Sequence, residues 1–352
     1  MILFGIELAV TEQRISVFTM THPSWNRRTF LAGSAALFSQ MTAARAAETP
    51  PPVVPTPFRN PNVYRFQIGD IEAFSISDGH SLMRSGIAMM HPEGDRPQMK
   101  TVMESNYERL DGIPLYINIL VLRKGKEVAI FDAGFGKWPN PNFGWFFDTL
   151  ASVGIQRGDV TAAFLSHAHV DHIGGFVTDD AITFPNAQFF CTQPELDFWF
   201  SPEPDFSKSK RDKKELPGLT RDNRKRFEIL KPVTQVLKDG SSVWDGDIKI
   251  ELAPGHTAGH AIFHIQSKGE KLLHIMDLVH HHLLMFENVN WTIAFDHDPE
   301  LAVVTRKKVF AQVMSEKPRL YGFHLPWPGL GHLASKSAHS FSWIPERYSW
   351  GS

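Results

Sequence analysis

The chain has 352 residues, with 36 Lys and Arg against 38 Asp and Glu. That near balance provides no global field to recruit nucleic acid or an anionic membrane surface, and the length suits one large α/β domain with a sizeable core. A single cysteine, Cys191, excludes an intramolecular disulfide and a thiolate metal cage, whereas 17 histidines leave metal or proton chemistry open.

Asn26-Arg27-Arg28-Thr29-Phe30-Leu31 precedes a mildly apolar run from Leu31 to Phe38, and Ala44-Arg45-Ala46 offers a small-residue cleavage pattern. This is the layout of a twin-arginine export signal over residues 1–47. It implies a periplasmic or secreted protein that meets the twin-arginine machinery already folded. The apolar run is too short to span a bilayer, so no stable membrane insertion is expected. Residues 1–19 lie upstream of the usual layout, and Met20 is an alternative start. Residues 48–61 form a stiff Pro-rich linker, and residues 62–352 form the body.

Residues 64–76 alternate about a Gly69-Asp70 turn and read as a hairpin that ends at Ser77-Asp78-Gly79. Residues 80–112 are Met-rich and irregular, with Met83, Met89 and Met90 read as core filler. Strands are expected over residues 115–122 and 127–131, the second ending in Asp132. An aspartate at the tip of a buried strand needs partners, either a turn or a histidine that it orients on a metal. The aromatic loop 138–147 could wall a pocket, meet a partner or fold back on its own core. Cys191, at the end of an apolar strand, reads as a small core residue. Residues 201–226 are dense in charge of both signs and read as a solvated helical insertion or lid, not an RNA surface.

Between these lies Ser166-His167-Ala168-His169-Val170-Asp171-His172-Ile173-Gly174-Gly175, directly after a short apolar strand. Strands further along end in His256, Asp277 and His324. Each of these groups stands at a strand's carboxyl end, where open sheets place their chemistry. Five histidines and two aspartates exceed one tetrahedral ion and suit two. The natural division gives His167, His169 and His256 to one metal and Asp171, His172 and His324 to the other, with Asp277 bridging. Nitrogen and oxygen donors make zinc the default, with manganese, cobalt or iron as alternatives. Such a pair yields a bridging hydroxide near neutral pH and needs no serine or cysteine nucleophile. His260 reads as structural, orienting a ligand.

The run 167–172, together with Pro254-Gly255-His256-Thr257-Ala258-Gly259-His260, Asp277 and His324, resembles the metallo-β-lactamase superfamily. The resemblance implies a single αββα sandwich with a dinuclear site on one edge. Tyr64-Arg65-Phe66, Phe184-Pro185-Asn186-Ala187, Asp197-Phe198-Trp199 and Pro328-Gly329-Leu330-Gly331-His332 are similar to the methyl parathion hydrolases and their lactonase-like relatives. That likeness implies hydrolysis of small apolar esters, lactones or organophosphate triesters, pocket residues at Trp199 and Phe295, and a homodimer. Quorum-quenching lactonases place a tyrosine three residues after the bridging aspartate, where this chain has His280. His280 either protonates a leaving group or holds the substrate carbonyl, or it is a rim histidine without a role. The alternatives to a hydrolase are a mononuclear-iron sulfur-compound dioxygenase and an inactive metal-binding scaffold.

Overall fold

The computed structural model describes residues 61–84, 86–337 and 339–348. The export signal expected over 1–47 and all but the end of the linker lie outside the described residues. Two seven-stranded sheets carry the architecture. In the first, β1 (Val63–Ile68), β2 (Ile71–Arg84), β3 (Gly112–Lys124) and β4 (Glu127–Phe131) pair antiparallel, and β5 (Ala162–Phe164) joins β4 in parallel. A small hairpin, β6 (Val177–Thr178) and β7 (Ala181–Ile182), comes next; β8 (Gln188–Thr192) and β9 (Thr234–Leu237) then extend the parallel half.

The second sheet orders β10 (Ser242–Val243), β11 (Ile248–Leu252), β12 (Ala261–Ser267), β13 (Glu270–His274), β14 (Arg319–Tyr321), β15 (Leu330–Ser337) and β16 (Ser340–Pro345). Only β13 and β14 pair in parallel there.

Strand periodicity explains the layering. Leu120, Leu122, Phe131 and Phe164 face the second sheet, meeting Ile250, Phe263 and Ile265. Their neighbours Ile119, Val121, Ile130 and Ala163 face outward, under Phe146 and Leu150 of the helix Phe146–Ser152. The helix Pro299–Glu316 adds Val309, Phe310 and Val313 to the inter-sheet core. This is the αββα sandwich that the resemblance implied. At its centre, Phe131, Phe164 and Phe190 stack across three parallel strands at 5.0 and 4.8 Å, and Phe263 meets Phe131 edge-on at 4.9 Å. Burying each such ring stabilises the fold by about 1.5–3 kcal/mol. Cys191 is buried as expected.

Two expectations change. Ser77-Asp78-Gly79 does not end its strand: β2 runs on to Arg84 through a bulge against β3. Gly79 sits at φ +136°, and a Cβ there would lie 1.9 Å from the Asn142 carbonyl oxygen, so this turn-like triplet lets the aromatic loop cross the strand. Residues 80–112 are also more regular than expected. Two helices, Gly86–Met90 and Arg96–Ser105, form there, the second capped by Asp95, which accepts from the Gln98 N–H at 2.9 Å. Met90, Met99 and Met103 are buried against Ile113, Leu284 and Trp291. The aromatic loop folds back, with Phe143 4.5 Å from Phe135, although Trp138 stays exposed. Among the described residues no helix is long and apolar enough to cross a membrane.

The first sheet reaches the site through Asp78, which is buried and accepts from the Phe135 and Phe146 N–H groups at 2.9 and 3.0 Å. Gly134 lies against it at φ +69°, where a Cβ would stand 2.4 Å from the Asp78 carboxylate. Gly134→Ala should therefore cost about 2 kcal/mol or more and lower Tm by roughly 4–8 °C. A melting curve that overlays the parent's would show that this backbone is not constrained.

Candidate metal centre

The loops after β5, β11, β13 and β14 converge at one edge of the sandwich. His167, His169, His256 and Asp277 form one group of donors, and Asp171, His172 and His324 form a second, with donor atoms in each within 4.8 Å of one another. The seven residues expected as ligands are thus brought together at one edge. A third group, Asp277, His280 and His324, places His280 in the same cluster.

Asp277 Oδ2 is the hub. It lies 3.6 Å from His167 Nε2, 3.3 Å from His172 Nε2, 3.2 Å from His256 Nε2, 3.0 Å from His280 Nε2 and 3.3 Å from His324 Nε2. On the far side of four of these rings the partner is an acceptor, while His280 Nδ1 is buried without one. Asp132 Oδ2 takes the His172 Nδ1 proton at 2.6 Å, Asp296 Oδ1 that of His256 at 2.8 Å, and the Tyr116 carbonyl that of His324 at 2.8 Å. The Ser166 hydroxyl donates to Asp132 at 2.6 Å and so accepts from His167 Nδ1 at 2.9 Å. Each arrangement commits Nδ1 to the acceptor behind it and turns Nε2 inward, where a neutral ring offers its lone pair. His169 presents Nδ1 instead, 2.9 Å from both His167 Nε2 and His256 Nε2.

Lone pairs aimed at lone pairs and at a carboxylate repel unless cations lie among them. The donor set therefore fits divalent metals. His169 Nε2, His172 Nε2 and Asp277 Oδ1 are buried without hydrogen-bond partners. Burial opposes the charge on Asp277, yet the fields of His172 and His324 overcome it and hold the carboxyl well below its usual range. Burial likewise lowers His256, but Asp277 and Asp296 overcome that and raise it to about 9. Burial holds His167 and His169 well below the ordinary imidazole value, neutral and ready to ligate.

Several residues that build the site were not visible in the sequence. Glu195 is fully buried and accepts from the Ala168 N–H (2.8 Å), the Trp199 indole N–H (2.8 Å), the Thr257 hydroxyl (2.6 Å) and the Gly259 N–H (3.0 Å). It ties the 167–172 loop to the 254–260 loop. Asn223, on the helix Leu216–Leu230 of the charged insertion, donates to the Ala168 carbonyl at 2.6 Å. Asp296 had no spacing signal. Asp132 takes the orienting role that was one of its two readings. His260 is structural: its Nδ1 faces the Ala253 carbonyl at 2.9 Å, its Nε2 accepts from the Asp277 N–H at 3.2 Å, and burial pushes its pKa down to about 3.

The two expected pocket residues sit differently. Phe295 is half-buried beside Asp296, with the Arg211 guanidinium 4.6 Å above its ring. Trp199 is 0% exposed, its indole spent on Glu195 and its ring 5.7 Å from His297. His280 is buried and stacks on His324 at 5.1 Å.

Two measurements follow from this geometry. Asp296→Ala frees the His256 ring and should weaken zinc affinity about 10- to 100-fold in a competitive chelator titration; unchanged affinity would make Asp296 a bystander. Because His256 is raised to about 9 in the metal-free protein, metal binding must expel its proton. Affinity should rise as pH goes from 6 to 9, and a flat profile would contradict the assignment.

The metallo-beta-lactamase superfamily profile matches residues 112–324. No curated protein matches the chain. Among solved structures it is similar to AidC, a dizinc quorum-quenching lactonase in complex with a product, at 31% identity and TM-score 0.78, over 82% of this chain and 98% of that one. It is also similar to the hydrolase AbOPH, in the beta-lactamase superfamily, at 27% identity and TM-score 0.74, over 82% and 98% of the two chains. A probable metal-dependent hydrolase from Staphylococcus aureus, at 20% identity and TM-score 0.63 over 81% and 100%, shares the fold. With the profile spanning more than half its length and its donors gathered as two joined sets, the chain belongs to the metallo-β-lactamase superfamily.

Proposed function

We propose that this protein is an exported dinuclear zinc hydrolase that opens lactones and related small apolar esters. The observation that carries the reading is the complete set of seven donors in two groups that meet at Asp277. The similarity to a dizinc lactonase over 82% of the chain favours lactones within that chemistry. The arginine pair Arg27-Arg28 supports export by the twin-arginine route.

Two divalent cations in such a site supply a hydroxide near neutral pH and polarise the substrate carbonyl. The chain's own residues do the rest. His167, His169 and His256 would hold one ion and Asp171, His172 and His324 the other, with Asp277 between the two groups. Asp132, Asp296, Ser166 and the Tyr116 carbonyl keep the rings from turning, so little reorganisation accompanies the reaction. His280 directs Nε2–H at Asp277 Oδ2, 3.0 Å away, and its Nδ1 is buried without a partner. We assign that N–H to the oxygen of the leaving alcohol, the place a tyrosine would otherwise fill. Half-buried Phe295 and Phe198 line the approach for an apolar tail.

The test is a comparison of kcat/KM on the zinc-loaded mature protein for an aliphatic lactone, an aryl carboxylate ester and a methyl phosphotriester. Lactone or ester preference is expected. Phosphotriester dominance would move the protein to the methyl parathion hydrolase side, and silence on all three with two metals bound would leave a scaffold. His280→Leu should lower kcat at least tenfold with metal content intact; an unchanged kcat removes His280 from the reaction.

A further inference from the structure

Four of the candidate ligand rings, His167, His172, His256 and His324, have an acceptor behind Nδ1. His169 is turned the other way and shares none of those braces. Its Nδ1 faces the cluster, 2.9 Å from both His167 Nε2 and His256 Nε2, so in the neutral ligating ring the proton sits on Nε2. That Nε2 is buried and, among the described residues, has no hydrogen-bond partner. A ligating imidazole normally gives its second N–H to an acceptor that fixes the ring.

The ring beside it is His297, edge to face at 74° with centroids 5.6 Å apart. His297 is 6% exposed, and neither Nδ1 nor Nε2 has a partner among the described residues. Phe198 lies tilted over it at 4.6 Å, and Phe206 and Trp199 close the box at 4.9 and 5.7 Å. Phenylalanine would fill such a box at lower cost, because a neutral imidazole buries one donor and one acceptor. Two unpaired nitrogens in an apolar box point to a polar task, and the nearest unpaired ring is His169.

The backbone holds His297 in place for that task. Its N–H donates to the His256 carbonyl at 3.0 Å, and the Asp298 N–H donates to the Gly255 carbonyl at 2.9 Å. Asp298 in turn caps the helix Pro299–Glu316, accepting from the Leu301 N–H at 3.1 Å. The segment that braces His256 through Asp296 therefore also carries His297 to His169, and both rings belong to one donor group.

We propose that His297 is a positioning residue for the candidate metal ligand His169, acting through one bridging water. The water accepts the His169 Nε2–H and donates to the unprotonated nitrogen of His297, so that both rings gain a partner. The proposal rests on the metal-centre reading above and adds a residue to it.

The experiment compares wild type with H297F, H297N and H297Q. Phenylalanine keeps the aromatic packing and removes the acceptor. The amide oxygens of Asn and Gln keep an acceptor near the Nδ1 and Nε2 positions and give up the ring. A competitive chelator titration measures zinc affinity, and melting of the metal-free protein reports the packing. H297F should melt close to wild type yet bind zinc about 10- to 100-fold more weakly. The better of the two amides should recover most of that affinity although it melts lower. Unchanged affinity in H297F, or affinity in H297F above that of both amides, overturns the proposal and leaves the metal sites standing. A wild type that binds no zinc removes the metal reading and this proposal with it. A high-resolution crystal structure of the zinc-loaded wild type checks the bridge whether or not any variant folds. One water within hydrogen-bonding reach of His169 Nε2 and a His297 nitrogen is expected, and its absence with zinc bound overturns the proposal.

Discussion

Around Asp277 Oδ2 the protein holds five imidazole Nε2 atoms at 3.0–3.6 Å, and four of those rings give their Nδ1 protons to an acceptor behind them. Ligating nitrogens gathered round a carboxylate are a costly arrangement in a buried place unless protons or cations lie among them. It persists because the rest of the molecule enforces it. Asp132 stands at the end of a strand that is buried on both faces, Asp296 is fixed by the Ile293 N–H at 3.1 Å, and Tyr116 contributes a carbonyl from β3. The sandwich works as a clamp that brings lone pairs together so that cations complete them.

The clamp needs the loops from the two sheets to stay in register with each other. Glu195 supplies that link with four hydrogen bonds from a single carboxylate, two of them to the loop after β11 and one to the loop after β5. Its indole partner, Trp199, leads on to Phe198, Phe206 and His297, so the hydrogen-bonded link continues into the aromatic wall under the charged insertion. Asn223 adds a second tie from that insertion to the metal loop. The insertion is therefore tied to the loop that carries His167 and His169, and it is more than a solvated decoration.

The candidate metal ligands were legible because each follows an apolar strand, and strand ends are recognisable from local pattern alone. The two-sheet layering came with the resemblance that the 167–172 and 254–260 motifs carry, because alternation marks single strands and not how they group into sheets. What could not be read depends on contacts between distant positions. Glu195 meets partners 27 and 62 residues away, and Asp296 meets His256 across 40 residues; no local spacing marks either one. The triplet Ser77-Asp78-Gly79 has the composition of a turn, and only the loop that crosses it makes it a bulge. His280 could be flagged as unusual but not placed, because its stacking on His324 is made by the fold. Residues 201–226 showed their charge in sequence but not that Asn223 among them reaches the Ala168 carbonyl.

The central claim is that Asp277 joins two metal sites. The most direct measurement is elemental analysis of zinc per chain after equilibration and removal of free metal, for wild type and Asp277→Ala. The account expects two ions per wild-type chain and at most one in the variant, with a folded circular dichroism spectrum in both. A wild-type chain that holds only one ion, or a variant that keeps two, would contradict it.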